Sequence, residues 1–141
     1  MLLTKERLYN NGNHREYNEI IRTDVHKING EQAIRLKFIS SNSSRHQGIA
    51  LVTTNGISIQ DQLEQKTAVI WQNEHSSELI LNCSKGILNV FNVWEEERMI
   101  GYHDSQSGMK LRKEKGVYTY SCNDFSLSSN FTSLVFSIQI L

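Results

Sequence analysis

The chain contains no proline, so no turn has its φ angle preset by a ring and every loop is built from the turn chemistry of Gly, Asn, Ser and Asp. Cysteine is scarce. Cys83 and Cys122 lie 39 positions apart, outside zinc or redox spacing, and one pair is too few to staple a domain of this size. Both fall where apolar strand residues would serve, so buried free thiols are expected, with a disulfide as the alternative. Net charge is absent as well: 15 basic and 15 acidic residues cancel. No global field draws the chain onto nucleic acid or an anionic membrane, and any partner recognised by charge is recognised locally. Long hydrophobic runs are missing too. Only three apolar residues precede the first Lys, so neither a secretory leader nor a membrane anchor is expected, and the expected location is the cytoplasm. In a cytoplasmic chain the sequons opened by Asn42, Asn82 and Asn130 carry no weight.

Motifs of catalysis are equally scarce. The histidines at 14, 26, 46, 75 and 103 are scattered without a His-x-His or His-x3-His pair, and there is no Gly-x-Ser-x-Gly and no glycine-rich phosphate loop. His103 and Asp104 are adjacent, but neighbours in a strand point to opposite faces and form no orienting pair unless the loop bends. No catalytic residue, metal or cofactor is assigned. Helical periodicity is almost lacking, and no internal repeat points to a propeller or solenoid.

What remains is alternation. A chain of 141 residues is one domain. Residues 1–18 are polar, weakly patterned, and expected to pack on a domain formed by residues 19–141. Ile21, Thr23 and Val25 alternate with Arg22, Asp24 and His26, and an Asn29-Gly30 turn leads into Ile34, Leu36 and Phe38, which alternate with Arg35 and Lys37. This pair is the strongest hairpin signal present. A strand over residues 49–54 meets a second Asn-Gly at Asn55 and Gly56. Residues 57–66 read two ways, as a helix capped by Ser58 and Asp61 or as a strand carrying Ile57 and Ile59. "TAVIWQN" and "ELILNC" flank a turn at "EHSS", "ILNVFNVW" reads as a strand, and residues 98–108 read as an irregular segment. "MKLR" meets "VYTYSC" across "KEKG", "NDFSLSSN" is a loop, and the last strand sets Leu134, Phe136, Ile138 and Ile140 against Ser133, Val135, Ser137 and Gln139. About nine short strands with regular turn signals predict an all-β, single-domain antiparallel β-sandwich, jelly-roll-like or Greek-key. A closed barrel is the alternative, with at most one or two short helical turns.

The strand "ILNVFNVW" is apolar on both faces with one amide on each, Asn89 and Asn92. A buried amide without partners costs about 1–3 kcal/mol, so each is either tied to protein groups or opens onto a ligand. In the ligand reading Asn92 and Trp94 meet a polar ligand such as a sugar, whose ring packs on the indole face while amides and carboxylates take its hydroxyls. Glu96, Tyr102, His103 and Asp104 in the long segment that follows join this set. So do Asn123 and Asp124, if the strand before them neighbours residues 87–94. The bland reading makes the amides loop ties and Glu95 to Glu97 a solvated charge run. Lys110, Arg112, Lys113 and Lys115 form a basic hairpin without interleaved aromatics, which favours solubility over nucleic acid. Three functions stay open. The first is a non-catalytic domain binding a protein partner or its own copies. The second is a carbohydrate or small-ligand module centred on Trp94, and the last a hydrolase using carboxylates of the same segment.

Overall fold

The computed structural model of the chain describes residues 20–59, 62–72, 77–102, 107–124 and 131–141. Its strands are β1 (Asp24–Ile28), β2 (Gln32–Ser41), β3 (Gln47–Ile59), β4 (Gln65–Trp71), β5 (Glu78–Cys83), β6 (Gly86–Glu96), β7 (Met99–Gly101), β8 (Gly108–Glu114), β9 (Val117–Asn123) and β10 (Leu134–Ile140). The class expected from alternation is the one found, and the described residues contain no helix. All ten strands join one antiparallel sheet in the order β1-β6-β3-β5-β2-β10-β9-β8, with β4 on β3 and β7 on β6.

One long strand carries this sheet round a corner. The first part of β3 lies between β4 and β6, whereas Ile57 to Ile59 pair with β5. The bend falls at Gly56, whose φ of 123° suits a residue without a Cβ. Strands that switch layers at a bulge make such corners. The second Asn-Gly is therefore a bend inside one strand, not the turn expected from sequence. The Asn55 amide donates to the Lys85 carbonyl at 2.6 Å and holds the bend. Of the ambiguous stretch, residues 57–59 and 65–66 are strand, 62–64 are irregular, and 60–61 lie outside the described residues.

The corner folds β4-β3-β6-β1 over β5-β2-β10-β9-β8, and the apolar alternation of both halves meets between them. Leu36, Ile49, Ile70, Leu81, Leu88, Phe136 and Ile138 are all fully buried in one cluster. At the far side the sheet closes by one backbone bridge: the Ile21 N–H donates to Met109 O at 2.9 Å and the Met109 N–H to Ile21 O at 2.7 Å.

The first Asn-Gly also differs from expectation. Gly30 takes a φ of 84° as turn chemistry requires, but β1 pairs with β6 while β2 pairs with β5 and β10. The turn crosses between the halves and makes no hairpin. Ile28 and Ile34 then enter the same core from opposite sides. The face expected to be polar in β1 is consequently the inner one, because Asp24 and His26 stand opposite the core residues Val90 and Leu88.

The segment read as irregular after Trp94 is partly regular. β7 pairs back on β6, with Glu95 opposite Ile100 and Glu96 opposite Met99, around a two-residue turn at Glu97 and Arg98. The "KEKG" turn is a hairpin as expected, with Glu114 opposite Val117. The last strand lies between β2 and β9, and the Leu141 N–H donates to Ala33 O at 2.9 Å. Ser133, expected on the outer face, is buried. The expectations for residues 1–18 and for most of "EHSS" and "NDFSLSSN" fall outside the described residues.

Two outcomes follow from these placements. Leu134, Phe136 and Ile138 are fully buried, and each contributes about 1.5–3 kcal/mol against a total of about 5–15 kcal/mol. Deleting residues 134–141 should abolish the cooperative melt in circular dichroism, and a truncated chain that still melts cooperatively contradicts the placement. Glu97 (φ 47°) and Arg98 (φ 70°) hold left-handed conformations that Asn-Gly adopts with less strain. The pair Glu97→Asn and Arg98→Gly should raise the unfolding free energy by about 1 kcal/mol in denaturant titration, and a loss of that size would refute the turn geometry.

Candidate functional site

Three residues singled out from sequence, Asn92, Asn123 and Asp124, gather at one end of the core. The strands β6 and β9 are not sheet neighbours, as the grouping assumed, but face each other across the interior. The Asn92 amide crosses that interior and donates to the Asn123 carbonyl at 2.8 Å. Asn123 Oδ1 in turn accepts the Phe131 N–H at 2.5 Å. Asp124 is buried and accepts from the Ser43 hydroxyl at 2.6 Å and the Gln47 amide at 3.1 Å, with the Arg45 guanidinium at 3.9 Å. Its own N–H donates to the Ser133 hydroxyl at 3.2 Å. These bonds tie the loop before β3 and the chain after β9 onto the end of the core, which is the loop-tying role of a satisfied buried polar group.

Trp94 is 1% exposed. The Gly101 backbone lies against its indole so closely that a Cβ there would collide with the ring, and its N–H donates to Glu96 Oε2 at 3.3 Å. It has no open face for a sugar ring. Tyr102, by contrast, is half exposed and leans on Phe91, ring centroids 5.6 Å apart. His103 and Asp104 lie outside the described residues.

Sequence reasoning missed a second polar group in the interior. On β1, Asp24 and His26 point inward toward Tyr120 of β9, and all three are buried. The Tyr120 hydroxyl donates to Asp24 Oδ2 at 2.5 Å. His26 Nε2 lies 2.7 Å from that hydroxyl oxygen and 3.2 Å from Asp24 Oδ2. Since the single hydroxyl proton goes to Asp24, Nε2 carries the proton it donates to Tyr120. Asp24 Oδ1 accepts the Val25 N–H at 2.9 Å, which caps one amide of the strand with its own side chain. Burial by itself raises the Asp24 pKa, but the hydrogen bond and charge of His26, with the Tyr120 and Val25 bonds, outweigh it and leave the carboxyl below its ordinary value. Burial, and then the Asp24 charge, push the Tyr120 hydroxyl well above its ordinary value. Asp24 and His26 share a face with Ile28, but a charged pair opposite Ile21, Thr23 and Val25 reads as a solvent side, and nothing local announces the distant Tyr120 that satisfies it. These groups have the chemistry of an acid–base site without access to a substrate.

The third group is on the outer face of β4, β3, β6 and β7. Gly48 pairs with Trp71 on one side and Val93 on the other, and Trp71 lies so close over Gly48 that a Cβ there would sit 2.7 Å from its Cε3. His46 stacks on Trp71, centroids 5.0 Å apart, donates Nε2–H to the Gln72 carbonyl at 2.6 Å, and turns Nδ1 toward Glu95 at 3.8 Å. Phe91, Tyr102 and Ile100 continue the surface across β6 to β7, while Met99, opposite Glu96, projects from the other side of the hairpin. Trp71, not Trp94, is the partly exposed indole. Its alternation with Thr67 and Val69, opposite the core residues Ala68 and Ile70, marks that face in the sequence.

Both cysteines are free and buried, and burial lifts the Cys83 thiol to about 11, with Glu64 adding to it. Neither is a nucleophile in the folded chain. The described residues hold no group of three or more His, Cys, Asp and Glu arranged for a metal ion, and no helix among them is long and apolar enough to cross a membrane.

The interior group makes stability depend on pH in a defined way. Asp24, lowered in the fold, contributes stability above the unfolded carboxyl value of about 4 that is lost as pH falls further; Tyr120, raised, contributes below about 10 and is lost as pH rises. Tyr120→Phe should cost about 1–3 kcal/mol near neutral pH and move the acid loss to higher pH, since Asp24 loses a donor. Denaturant titrations across pH test this, and unchanged curves would refute the network. No protein-family model matches the sequence, no curated protein matches it, and no solved structure matches the fold.

Proposed function

We propose that the chain is a non-catalytic binding domain that engages a protein partner through the β6-β7 hairpin and the aromatic face beside it. The observation that carries this reading is a run of large apolar side chains in solvent: Met99 is 72%, Ile100 47% and Tyr102 53% exposed. Isolated exposed apolar residues are ordinary, but Ile100 and Tyr102 share the outer face with Phe91 and Trp71, and Met99 is exposed on the other side of the same hairpin, so its tip presents apolar surface of the composition found at protein contacts, rich in aromatics and Met. The hairpin holds two non-glycine residues at positive φ, strain of the kind that persists where a surface is used. Tyr102 and Trp71 are held by Phe91 and His46, so little side-chain freedom is lost when a partner covers them. For a carbohydrate the arrangement is less apt, because Trp71 is already engaged by His46 and Gly48 and Trp94 is covered.

A photo-crosslinking residue at position 99, expressed in cells of the source organism, tests the reading, with position 31 in the exposed β1-β2 turn as control. Covalent protein adducts are expected from position 99 and not from position 31. No adducts at 99, or equal yields at both, would overturn it.

A further inference from the structure

The chain's zero net charge conceals two hairpins of opposite sign, and their positions in the fold are complementary. The β6-β7 tip carries Glu95, Glu96 and Glu97 against Arg98, whereas the β8-β9 tip carries Arg112, Lys113 and Lys115 against Glu114, with Lys110 further along β8 opposite Ser121. β6 and β9 run alongside each other across the core. His26, paired with Leu88, touches Tyr118; Asp24, paired with Val90, bonds Tyr120; Asn92 bonds Asn123. The acidic turn at the end of β6 therefore lies where β9 finishes, and the basic turn lies where β9 begins. A seven-residue strand separates them, about 20 Å at about 3.4 Å per residue. Exposed apolar side chains accompany each hairpin, Met99 and Ile100 at the acidic tip and Leu111 midway along β8. Leu111 stands opposite Tyr120 and is exposed.

We infer that the partner of the acidic hairpin is the basic hairpin of a second copy of this chain, in a head-to-tail contact. This rests on the binding-domain reading and names its partner. Two complementary patches at opposite ends of one molecule make a heterologous contact, which propagates into a ring or an open filament and does not stop at a two-fold dimer. The absence of net charge leaves no overall repulsion to oppose the approach of copies. Carboxylates rimming an apolar patch set which surface docks and how fast, and the apolar side chains hold it.

Sedimentation velocity on the purified chain tests this. At about 20 mM salt the weight-average mass should rise with concentration above 16.3 kDa, and at about 0.5 M it should fall back toward that value as exposed charges are screened. Glu95→Lys with Glu97→Lys makes both tips basic, and Arg112→Glu with Lys115→Glu makes both acidic. Lys115 and Glu97 hold matching turn conformations, φ 52° and 47°, so each accepts the other's residue type. Lys110 and Lys113 are left in place because their ammonium groups rest over Phe131 and Tyr118. With far-ultraviolet dichroism matching the parent, each reversed variant alone should stay monomeric, and an equimolar mixture should associate again. A parent chain that remains at 16.3 kDa at every concentration, or association indifferent to both reversals, overturns the inference. If the parent is monomeric while position 99 still crosslinks to other proteins, the binding-domain reading stands and self-association is refuted. If neither is seen, both fall.

Discussion

The seam between β1 and the β8-β9 hairpin is the constraint on which the rest of the fold depends. A curled antiparallel sheet must either close or leave its terminal strands exposed, and among the described residues the backbone closes it at one point, Ile21 on Met109. Beyond that point closure passes to side chains. Asp24 and His26 reach inward to Tyr120, and Asn92 reaches Asn123, so β6 and β1 are fixed over β9 without a ladder between them. Buried polar groups are costly unless satisfied, and a satisfied set is specific in a way that apolar packing is not. One arrangement of β1 over β9 pairs the carboxylate, the imidazole and the phenol together, and sliding either strand by one residue would part the phenol from the other two.

With the seam fixed, the ends of the molecule are fixed as well. The chain after β9 is tied through Asp124 to Ser43 and Gln47, which positions the start of β3 and with it His46 and Trp71. At the same end the Trp94 indole fills the space under β7, and Gly101 is the residue that lets β7 come this close. The buried Trp94 thus supports the hairpin whose other side chains are exposed. Polar interior and apolar exterior hairpin belong to one design, in which the inside specifies position and the outside is left for contact.

Much of this fold was legible in period-two alternation. The inward sets of β10 and β2, the tight β8-β9 hairpin and the free buried cysteines all follow from which residues recur at i and i+2. Two kinds of feature were not legible. Asn-Gly supplies φ > 0 wherever it is needed, and nothing local tells a hairpin from a crossing between layers or a bend within a strand; the distant partners of β1 and β3 decide that. Likewise, Asp24 and His26 read as a solvent face because charged residues usually are one, and only a phenol from 94 positions away makes their burial tolerable. The candidate site divided the same way. Asn92, Asn123 and Asp124 lie at one end of the core, where long-range bonds engage each of them with protein groups. Trp71 was legible by parity with Ala68 and Ile70 and was passed over for the tryptophan beside the acidic run.

Native-state hydrogen exchange at single amides tests the closure of the seam most directly. If Asp24, His26 and Tyr120 close the sheet as an integral part of one cooperative fold, the amides of Ile21, Val25 and Met109 exchange only with global unfolding, at the same free energy as Leu36 and Phe136 in the core. Exchange at those three amides through a cheaper local opening, with the core amides still protected, would show that the seam is a loose flap and contradict the account.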